Sequence, residues 1–208
     1  KEYRGLFYNM RKERYFENRK HIARAESEWR LDQSGVISPY DELVKKYAAK
    51  HELDWRLIVS QMYQESRFDQ NRESWAGAQG VMQLLPRSAR EVGVMKLNTP
   101  EQSIMAGVRY LKRMIDLIDP RLPLETRIRF GLASYNAGRS HVLDARRLAR
   151  QQGWSGDIWY DNVERAMLLL SRPEYHQKAR FGFVRGEEPV NYVREIESRY
   201  ISYTRQLP

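Results

Sequence analysis

Residues 99–120 read TPEQSIMAGVRYLKRMIDLIDP, and this stretch carries the clearest signal for the fold class. Its start has the features of a helix N-terminus, because Thr99 is a favourable cap, Pro100 suits the first helical position and Gln102 completes a capping box. Apolar side chains then recur in steps of four and three residues, at Ile104, Val108, Leu111, Ile115 and Ile118. That spacing places them on one face of a helix, so we predict a long amphipathic helix that Pro120 stops.

Helical spacing recurs along the rest of the chain from Ser38 onwards. Ser38 and Pro39 fit the cap and first residue of one helix, Asp54 can cap a second, and Gly138 fits the end of another. Two further helices are predicted after Gly138, and a last one begins at Pro189. Almost no segment alternates with a period of two, so we predict a mostly α fold.

The chain of 208 residues divides into two parts by its apolar pattern. Residues 1–38 are basic and lack an apolar stripe, which predicts an N-terminal helical or linker segment, and residues 39–208 form the main domain. The net charge of +9 favours an anionic polymer such as nucleic acid, anionic lipid or bacterial cell wall, without choosing among them.

The sequence excludes a membrane-spanning helix and every feature that requires cysteine. No stretch reaches the roughly 20 consecutive apolar residues of a membrane-spanning helix. The chain has no cysteine, which excludes disulfide bonds, thiolate zinc sites and cysteine nucleophiles.

Glu65 is the candidate proton donor. On a helix that advances about 100° per residue from Trp55, Ile58 and Met62 fall near about 300° and 340°, and Glu65 falls near about 280°. Glu65 therefore shares the apolar face, close to the predicted helix end. Partial desolvation and the negative end of the helix dipole both raise the pKa of a carboxyl group there, as a proton donor near neutral pH requires. The alternative is a surface glutamate at a frayed helix end, or one paired with Arg67.

A glycine-bearing loop follows, in which residues 74–86 read SWAGAQGVMQLLP. Its glycines allow a positive φ or a close approach of the backbone to a ligand. Gln83 can offer its amide to a polar substrate, with Met82 packed beneath. The loop lacks the signatures of a phosphate loop and of a dinucleotide site, and glycine-rich turns before helices are common.

Four short motifs occur in order along the chain. They are Glu65-Ser66, Gly77-x-x-Gly80-x-Met82-Gln83-Leu84-x-Pro86, Ala133-x-Tyr135-Asn136-Ala137-Gly138 and Asn191-Tyr192-Val193. Over roughly residues 39–208 this pattern resembles the lytic transglycosylases of glycoside hydrolase family 23, which are related to goose-type lysozyme. Within the family it is most similar to the catalytic module of the membrane-bound lytic murein transglycosylase F type.

The resemblance implies a lysozyme-like helical globule with a glycan-binding groove. It implies that Glu65 is the single catalytic acid and base, that Ser74 contacts an N-acetyl group of the sugar, and that Gln83 lines the groove above Met82. Asp69 and Glu73 match no catalytic position.

The resemblance also assigns substrate-binding roles to three later residues. Tyr135 and Asn136 would shape the floor of the site, and Tyr192 would hydrogen-bond near Glu65 or the reacting sugar. The alternative for Tyr135 and Asn136 is packing and capping at a helix end, and the alternative for Tyr192 is a place in the core. Four aromatic residues are candidates for sugar stacking, with ordinary packing as the alternative: Phe68, Trp75, Trp154 and Trp159.

The implied activity is that of a lyase that cuts the β-1,4 bond between N-acetylmuramic acid and N-acetylglucosamine and forms 1,6-anhydro-N-acetylmuramic acid. The implied partners are peptidoglycan strands rather than nucleic acid, and the implied compartment is the periplasm, with attachment to the outer membrane. An upstream regulatory domain and a lipid anchor would belong to sequence before Lys1.

No cofactor or metal is expected, because the four histidines are scattered and lack the spacing of a zinc site: His21, His51, His141 and His176.

Two alternatives to the transglycosylase function remain. One is a hydrolytic muramidase on the same fold, and the other is a basic helical module that binds a polymer without catalysis.

Overall fold

The computed structural model describes residues 35–207, and its regular structure is helical. The helices are α1 (Asp41–Lys50), α2 (Trp55–Ser66), α3 (Pro86–Glu91), α4 (Pro100–Asp116), α5 (Leu124–Ala137), α6 (Arg139–Gln151), α7 (Glu164–Leu169), α8 (Pro173–His176) and α9 (Glu187–Gln206). A π-helical turn (Trp159–Val163), in which Tyr160 and Asp161 depart from helical φ and ψ angles, precedes α7. The predicted mostly α fold is confirmed, whereas most of the predicted N-terminal segment 1–38 lies outside the described residues.

Side-chain caps explain where the longer helices begin. Asp54 accepts a hydrogen bond from the Arg56 backbone N–H (2.9 Å) at the start of α2, as predicted. At the start of α4, Thr99 Oγ1 accepts from the Gln102 N–H (3.3 Å) and Gln102 Oε1 accepts from the Thr99 N–H (3.3 Å). The predicted capping box is therefore confirmed.

Three helix boundaries differ from the predicted ones, among them the start of α9, which lies at Glu187 and not at Pro189. α1 begins at Asp41 and not at Pro39, because the Asp41 carboxylate accepts hydrogen bonds from the Ser38 N–H and hydroxyl and thereby fixes the residues before the helix. α4 ends at Asp116, four residues before Pro120. Pro120 has no N–H to donate to the carbonyl of Asp116, four residues earlier, and its ring would clash with that carbonyl, so the helix ends there.

The predicted core face of α4 is confirmed. Four of the five predicted side chains lie in α4 and are at most 2% exposed: Ile104, Val108, Leu111 and Ile115. The fifth, Ile118, is 2% exposed but follows the end of the helix. Burial of this face accounts for the regular steps of three and four in the sequence.

The chain forms two compact units. The first runs to Tyr110 and resumes at Glu195, and the second runs from Leu111 to Arg194. In the first unit α1 packs against α2. The C-terminal part of α9 is joined to α2 by hydrogen bonds from Tyr200 Oη to Asp54 Oδ2 (2.8 Å) and from Arg199 Nη1 to the Ser60 carbonyl (3.2 Å).

In the second unit α5, α6, α7 and the π-helical turn pack together. Trp159 is 1% exposed and meets Phe130 edge to face, with ring centroids 5.9 Å apart. Gly131 lets α5 approach α4 closely, since a Cβ atom there would lie 2.5 Å from Ile115 Cγ1. Within residues 35–207, no helix has the length and apolar character needed to cross a membrane.

Candidate active site

Glu65 lies on the last turn of α2, immediately before the helix ends. The helix stops at Ser66, and Arg67 and Phe68 both adopt positive φ angles of 55° and 70°. The predicted helix end beside Glu65 is confirmed. Met62, one turn earlier, is fully buried and Glu65 is half-buried, so the carboxyl group lies at the margin of the core.

Three polar side chains fix the Val81–Met82 segment within the first unit. Ser66 Oγ, next to Glu65 in sequence, donates to the Val81 carbonyl (2.8 Å). The Val81 N–H donates to Gln70 Oε1 (3.3 Å), and the Met82 N–H donates to Ser103 Oγ (3.1 Å). The glycine-bearing loop is thereby tied to the end of α2 that carries Glu65.

Met82 lies beneath this loop. Its side chain is 0% exposed, and it fills the space left by a glycine of α4, because a Cβ atom on Gly107 would lie 2.6 Å from Met82 Cβ. Met82 therefore supports the loop from the core side. From the sequence we expect it to pack beneath Gln83.

Gln83 has a fixed amide. Its Nε2 donates to the Arg72 carbonyl (2.8 Å) and to the Gly80 carbonyl (2.9 Å). Both acceptors are carbonyl oxygens, so these contacts identify which end of the amide is the nitrogen. Among the described residues none donates to Oε1, and the side chain is partly exposed. Gln83 can therefore present a carbonyl oxygen to a ligand.

Ser74 forms the corner of a tight turn. Its N–H donates to the Ala78 carbonyl (2.9 Å), and its Oγ accepts from the Ala78 N–H (3.0 Å). The Ser74 hydroxyl proton has no acceptor within residues 35–207, so it can donate to a ligand. Trp75 follows in the same turn and is 93% exposed.

Glu65 is less exposed to solvent than Asp69 and Glu73, the acidic residues that follow it in the chain. Asp69 and Glu73 are exposed, and each accepts a hydrogen bond within the loop, from the Asn71 N–H (2.9 Å) and from Gln79 Nε2 (3.5 Å). Glu65 is the half-buried carboxyl group among the three.

Tyr135 and Asn136 lie on the last turn of α5 in the second unit. Tyr135 is half-buried and Asn136 is exposed. The helix end is closed by Gly138, which has a φ of 86° and whose N–H donates to the Ser134 carbonyl (2.9 Å). The Asn136 side chain makes no hydrogen bond to the described residues, so the backbone at Gly138 and not the Asn136 amide caps the helix.

Tyr192 lies near the start of α9 and is 5% exposed. Burial of this degree is what the core alternative predicts, and its binding role remains a prediction. Tyr192 belongs to the second unit with Tyr135 and Asn136, whereas Glu65 belongs to the first unit with Ser74, Met82 and Gln83.

Trp75 differs from the other three aromatic residues that the sequence offers for sugar stacking. Phe68 meets Tyr63 edge to face with ring centroids 5.5 Å apart, Trp154 is covered by the Arg165 guanidinium at 4.1 Å, and Trp159 is buried. Trp75 alone among these four presents most of its ring surface to solvent.

Ser66, Gln70 and Ser103 were not assigned roles from sequence, although they hold the loop in place. Ser66 stands in the first motif, but nothing local marks its acceptor, which lies 15 residues further along the chain. For Gln70 and Ser103 no sequence signal indicates the contact.

Comparison with known families decides the classification. Residues 42–156, more than half of the chain, match the family model described as the transglycosylase SLT domain. The chain belongs to the transglycosylase SLT domain family.

Relatives of this SLT-domain chain carry names that specify an enzyme. It is 42% identical over 163 residues to the membrane-bound lytic murein transglycosylase F of Photobacterium profundum, covering 78% of this chain and 31% of the relative. It is 38% identical over 188 residues to the protein of the same name from Shewanella pealeana, covering 88% of this chain and 39% of the relative. The chain thus spans about a third of the length of these relatives.

A solved structure supports the fold of the SLT-domain chain. The 70 kDa soluble lytic transglycosylase of Escherichia coli aligns with a TM-score of 0.58 at 21% identity, covering 90% of this chain and 26% of that protein. The helical fold is therefore shared with that protein.

Proposed function

We propose that this chain is a lytic transglycosylase that cuts the β-1,4 bond between N-acetylmuramic acid and N-acetylglucosamine in peptidoglycan, with Glu65 as its single acid and base. The observation that carries the proposal is the position of Glu65, half-buried at the end of α2 beside a loop that Ser66 ties to the same helix end. Family membership and the names of the relatives support the reaction class.

The first step is a proton transfer. Protonated Glu65 gives its proton to the glycosidic oxygen, and the bond between that oxygen and the anomeric carbon of N-acetylmuramic acid breaks. The N-acetyl oxygen of the same sugar stabilises the electron-poor anomeric carbon. Substrate assistance of this kind is a known exception to the use of two carboxylates in glycoside cleavage.

The second step restores Glu65. Its carboxylate removes the proton from the C6 hydroxyl, whose oxygen attacks the anomeric carbon and closes the 1,6-anhydro ring. Glu65 is then protonated again, and no water is consumed. Only one carboxyl group is needed, in keeping with exposed Asp69 and Glu73, which are engaged within the loop.

Residues around the loop supply the groups that would bind sugar. We infer that the Ser74 hydroxyl donates to an N-acetyl carbonyl and that Gln83 Oε1 accepts from a sugar N–H or O–H group, because the contacts of both side chains within the loop leave these functions available. The exposed ring of Trp75 would stack on a sugar face. Met82 would support this surface from beneath.

Tyr135, Asn136 and Tyr192 complete the proposed binding residues. The exposed amide of Asn136 and the half-buried ring of Tyr135 would contact the glycan. The Tyr192 hydroxyl would orient a group near the reacting bond.

The proposed setting is the periplasm, where peptidoglycan strands are the partner. Relatives named as membrane-bound transglycosylases support attachment to a membrane, which we propose to be the outer membrane. An upstream regulatory domain and a lipid anchor are part of the same proposal, and this chain spans about a third of those relatives.

The test compares Glu65→Gln with Glu73→Gln on purified peptidoglycan, with released fragments measured by liquid chromatography and mass spectrometry. Glu65→Gln removes the transferable proton, so we expect the rate to fall by at least about 100-fold. Glu73→Gln neutralises an exposed carboxylate nearby and should leave the rate within about twofold of the unaltered chain, the level at which no transition-state contact is lost. Substantial cleavage by Glu65→Gln would refute the role of Glu65, and no cleavage by the unaltered chain would favour a non-catalytic binding module.

A further inference from the structure

A cavity of about 330 Å³ lies in the second unit, between α6 and the segment that carries α8. Its volume falls at the lower end of the roughly 300–1,000 Å³ typical of small-molecule sites. None of the described residues that line it belongs to the proposed glycan-binding set.

The charged lining carries two groups of each sign. Asp144 and Arg147 come from α6, Glu174 comes from α8, and Lys178 follows α8. A cavity with balanced charges suits a ligand that itself carries both signs, because an ion of one sign would be repelled by half of the lining.

Asp144 is the buried member of this set. Its side chain is 0% exposed, and its Oδ2 accepts from the Phe181 backbone N–H (2.7 Å). Its Oδ1 lies 3.2 Å from Arg147 Nη1 but receives no hydrogen bond from the described residues. The charge of Arg147 offsets part of the cost of burying this oxygen, and a donor from a ligand would supply the hydrogen bond that it lacks.

Arg147 has spare hydrogen-bonding capacity. Its side chain is 48% exposed, and within residues 35–207 its ion pair is with Asp144 alone, so its five N–H groups can donate to a ligand. Lys178, which follows α8 in the chain, is also exposed. These two cations can receive a carboxylate.

The geometry points to a binding site for an amino-acid head group, with an ammonium and a carboxylate on the same carbon atom. The ammonium is attracted by the exposed Glu174 carboxylate, and it donates to Asp144 Oδ1 when that side chain, 0% exposed here, turns towards the cavity. The carboxylate accepts from Arg147 and Lys178.

The remainder of the lining accommodates a short aliphatic chain. Leu148, Leu170 and Tyr175 line the cavity, and the two leucines are mostly buried. Apolar contacts there add affinity in proportion to the ligand surface removed from water.

The same head group has two sources. One is a free amino acid, and the other is a diamino acid joined to a peptide through one amine, which leaves its second ammonium and carboxylate intact. The second source connects the site with peptidoglycan and so rests on the proposed function, whereas binding of the head group itself does not.

The test is calorimetric titration of the full chain with L-leucine, meso-diaminopimelic acid and the dipeptide γ-glutamyl-diaminopimelate. N-acetyl-leucine, which lacks the ammonium, and leucine methyl ester, which lacks the carboxylate, are the ligand controls. We expect at least one zwitterion to bind saturably with a Kd below about 10 mM, and both controls to bind at least about tenfold more weakly. Preference for the dipeptide over free amino acids identifies the peptide source, and the reverse preference identifies the free amino acid.

Two variants test the assigned contacts. Asp144→Asn keeps an acceptor for the Phe181 N–H but removes the charge, and Arg147→Gln removes the guanidinium. Each should weaken binding by at least about tenfold, as expected for loss of a charge-assisted hydrogen bond. The matched control is Arg150→Gln on the same helix, where Arg150 is 54% exposed and pairs with Asp157. It should bind as the unaltered chain does.

The proposal is overturned if no zwitterion saturates, if the blocked ligands bind equally well, or if Arg147→Gln binds normally. If Asp144→Asn fails to fold, the binding measured for Arg147→Gln decides the test, because Arg147 is half-exposed. Circular dichroism checks that Arg147→Gln is folded. Glu65 does not line this cavity, so we expect Glu65→Gln to bind the amino acid as the unaltered chain does. Failure of this site and failure of the proposed catalysis are therefore read from separate measurements.

Discussion

The hydrogen bond from Ser66 Oγ to the Val81 carbonyl joins the helix end that carries Glu65 to the loop that carries Gln83. Ser66→Ala removes this 2.8 Å contact and leaves the carbonyl without its side-chain donor. The hydroxyl also lies 3.3 Å from the Met62 carbonyl, which is the more distant acceptor. The loss therefore falls mainly on the contact between helix and loop.

The burial of Ser66 and Val81 sets the size of the stability loss in Ser66→Ala. Ser66 is 2% exposed and Val81 is 0% exposed, so water cannot readily replace the lost donor. Leaving a buried acceptor unsatisfied costs about 1–3 kcal/mol. For a chain of this size, each kcal/mol lowers Tm by about 2–4 °C, so the expected decrease is about 2–12 °C.

Ser60→Ala is the matched control. Ser60 is also fully buried on α2, but its Oγ donates to the Arg56 carbonyl (2.7 Å) one turn earlier in the same helix. That carbonyl already accepts a backbone hydrogen bond within the helix, so the control should cost no more than about 0.5 kcal/mol. Thermal unfolding by circular dichroism compares the two variants.

Cleavage of purified peptidoglycan, measured where both variants are folded, supplies the second comparison. Ser66→Ala should be several-fold slower, because the loop that carries Gln83 is no longer held to the end of α2, whereas Ser60→Ala should retain its rate. Equal stability and equal cleavage rates for the two variants would refute this account of the loop.

Three further predictions concern the same unit. Trp75→Ala should raise KM for glycan fragments by about 5- to 160-fold with Tm unchanged, because an exposed ring contributes about 1–3 kcal/mol to stacking on a ligand and little to folding; an unchanged KM would remove Trp75 from the binding surface. Gly80→Ala should destabilise the chain by about 1–3 kcal/mol more than Gly77→Ala in urea unfolding. Both glycines have positive φ, but only at Gly80 would the added Cβ meet Ser103 Oγ, at 2.5 Å, and equal losses would contradict the close packing. Burial raises the pKa of Tyr203 to about 12 from its ordinary 10.0. The neutral form is favoured in the folded state, so this contribution to stability is complete below pH 10 and is lost as pH rises towards 12; it amounts to at most about 2–3 kcal/mol. Tyr203→Phe should lose less stability than the unaltered chain over that interval in chemical denaturation, and parallel losses would contradict the shift.

Local pattern was sufficient to predict the helices that bury one face. The apolar positions of α4 repeat every three to four residues because one side of that helix is in the core, and its cap at Thr99 is encoded within four residues. The end of α2 beside Glu65 was predictable for the same reason, since the polar residues after Ser66 do not continue the apolar face.

Irregular segments were not predictable in this way. The stretch from Arg172 to Glu188 reads as a loop by its proline and glycines, yet Pro173–His176 forms α8 and α9 begins at Glu187 rather than Pro189. In the turn before α7, Asp161 has a φ of 58°; aspartate tolerates this conformation, but its tolerance does not predict which aspartate adopts it.

In the candidate site, too, local sequence predicts some residues but not the contacts between distant ones. Glu65 and the glycine-bearing loop were found from adjacent residues. The hydrogen bonds from Ser66 to Val81 and from Met82 to Ser103 join residues 15 and 21 positions apart, so they depend on tertiary packing that sequence spacing does not encode.

Digestion of purified peptidoglycan in water enriched in the heavy isotope of oxygen tests the central claim most directly. If Glu65 serves as both acid and base while the C6 hydroxyl attacks, the released fragments carry anhydro ends, lack one water per cut relative to hydrolysis products, and contain no heavy oxygen. One heavy oxygen atom at each new reducing end would identify water as the nucleophile and contradict the transglycosylase mechanism.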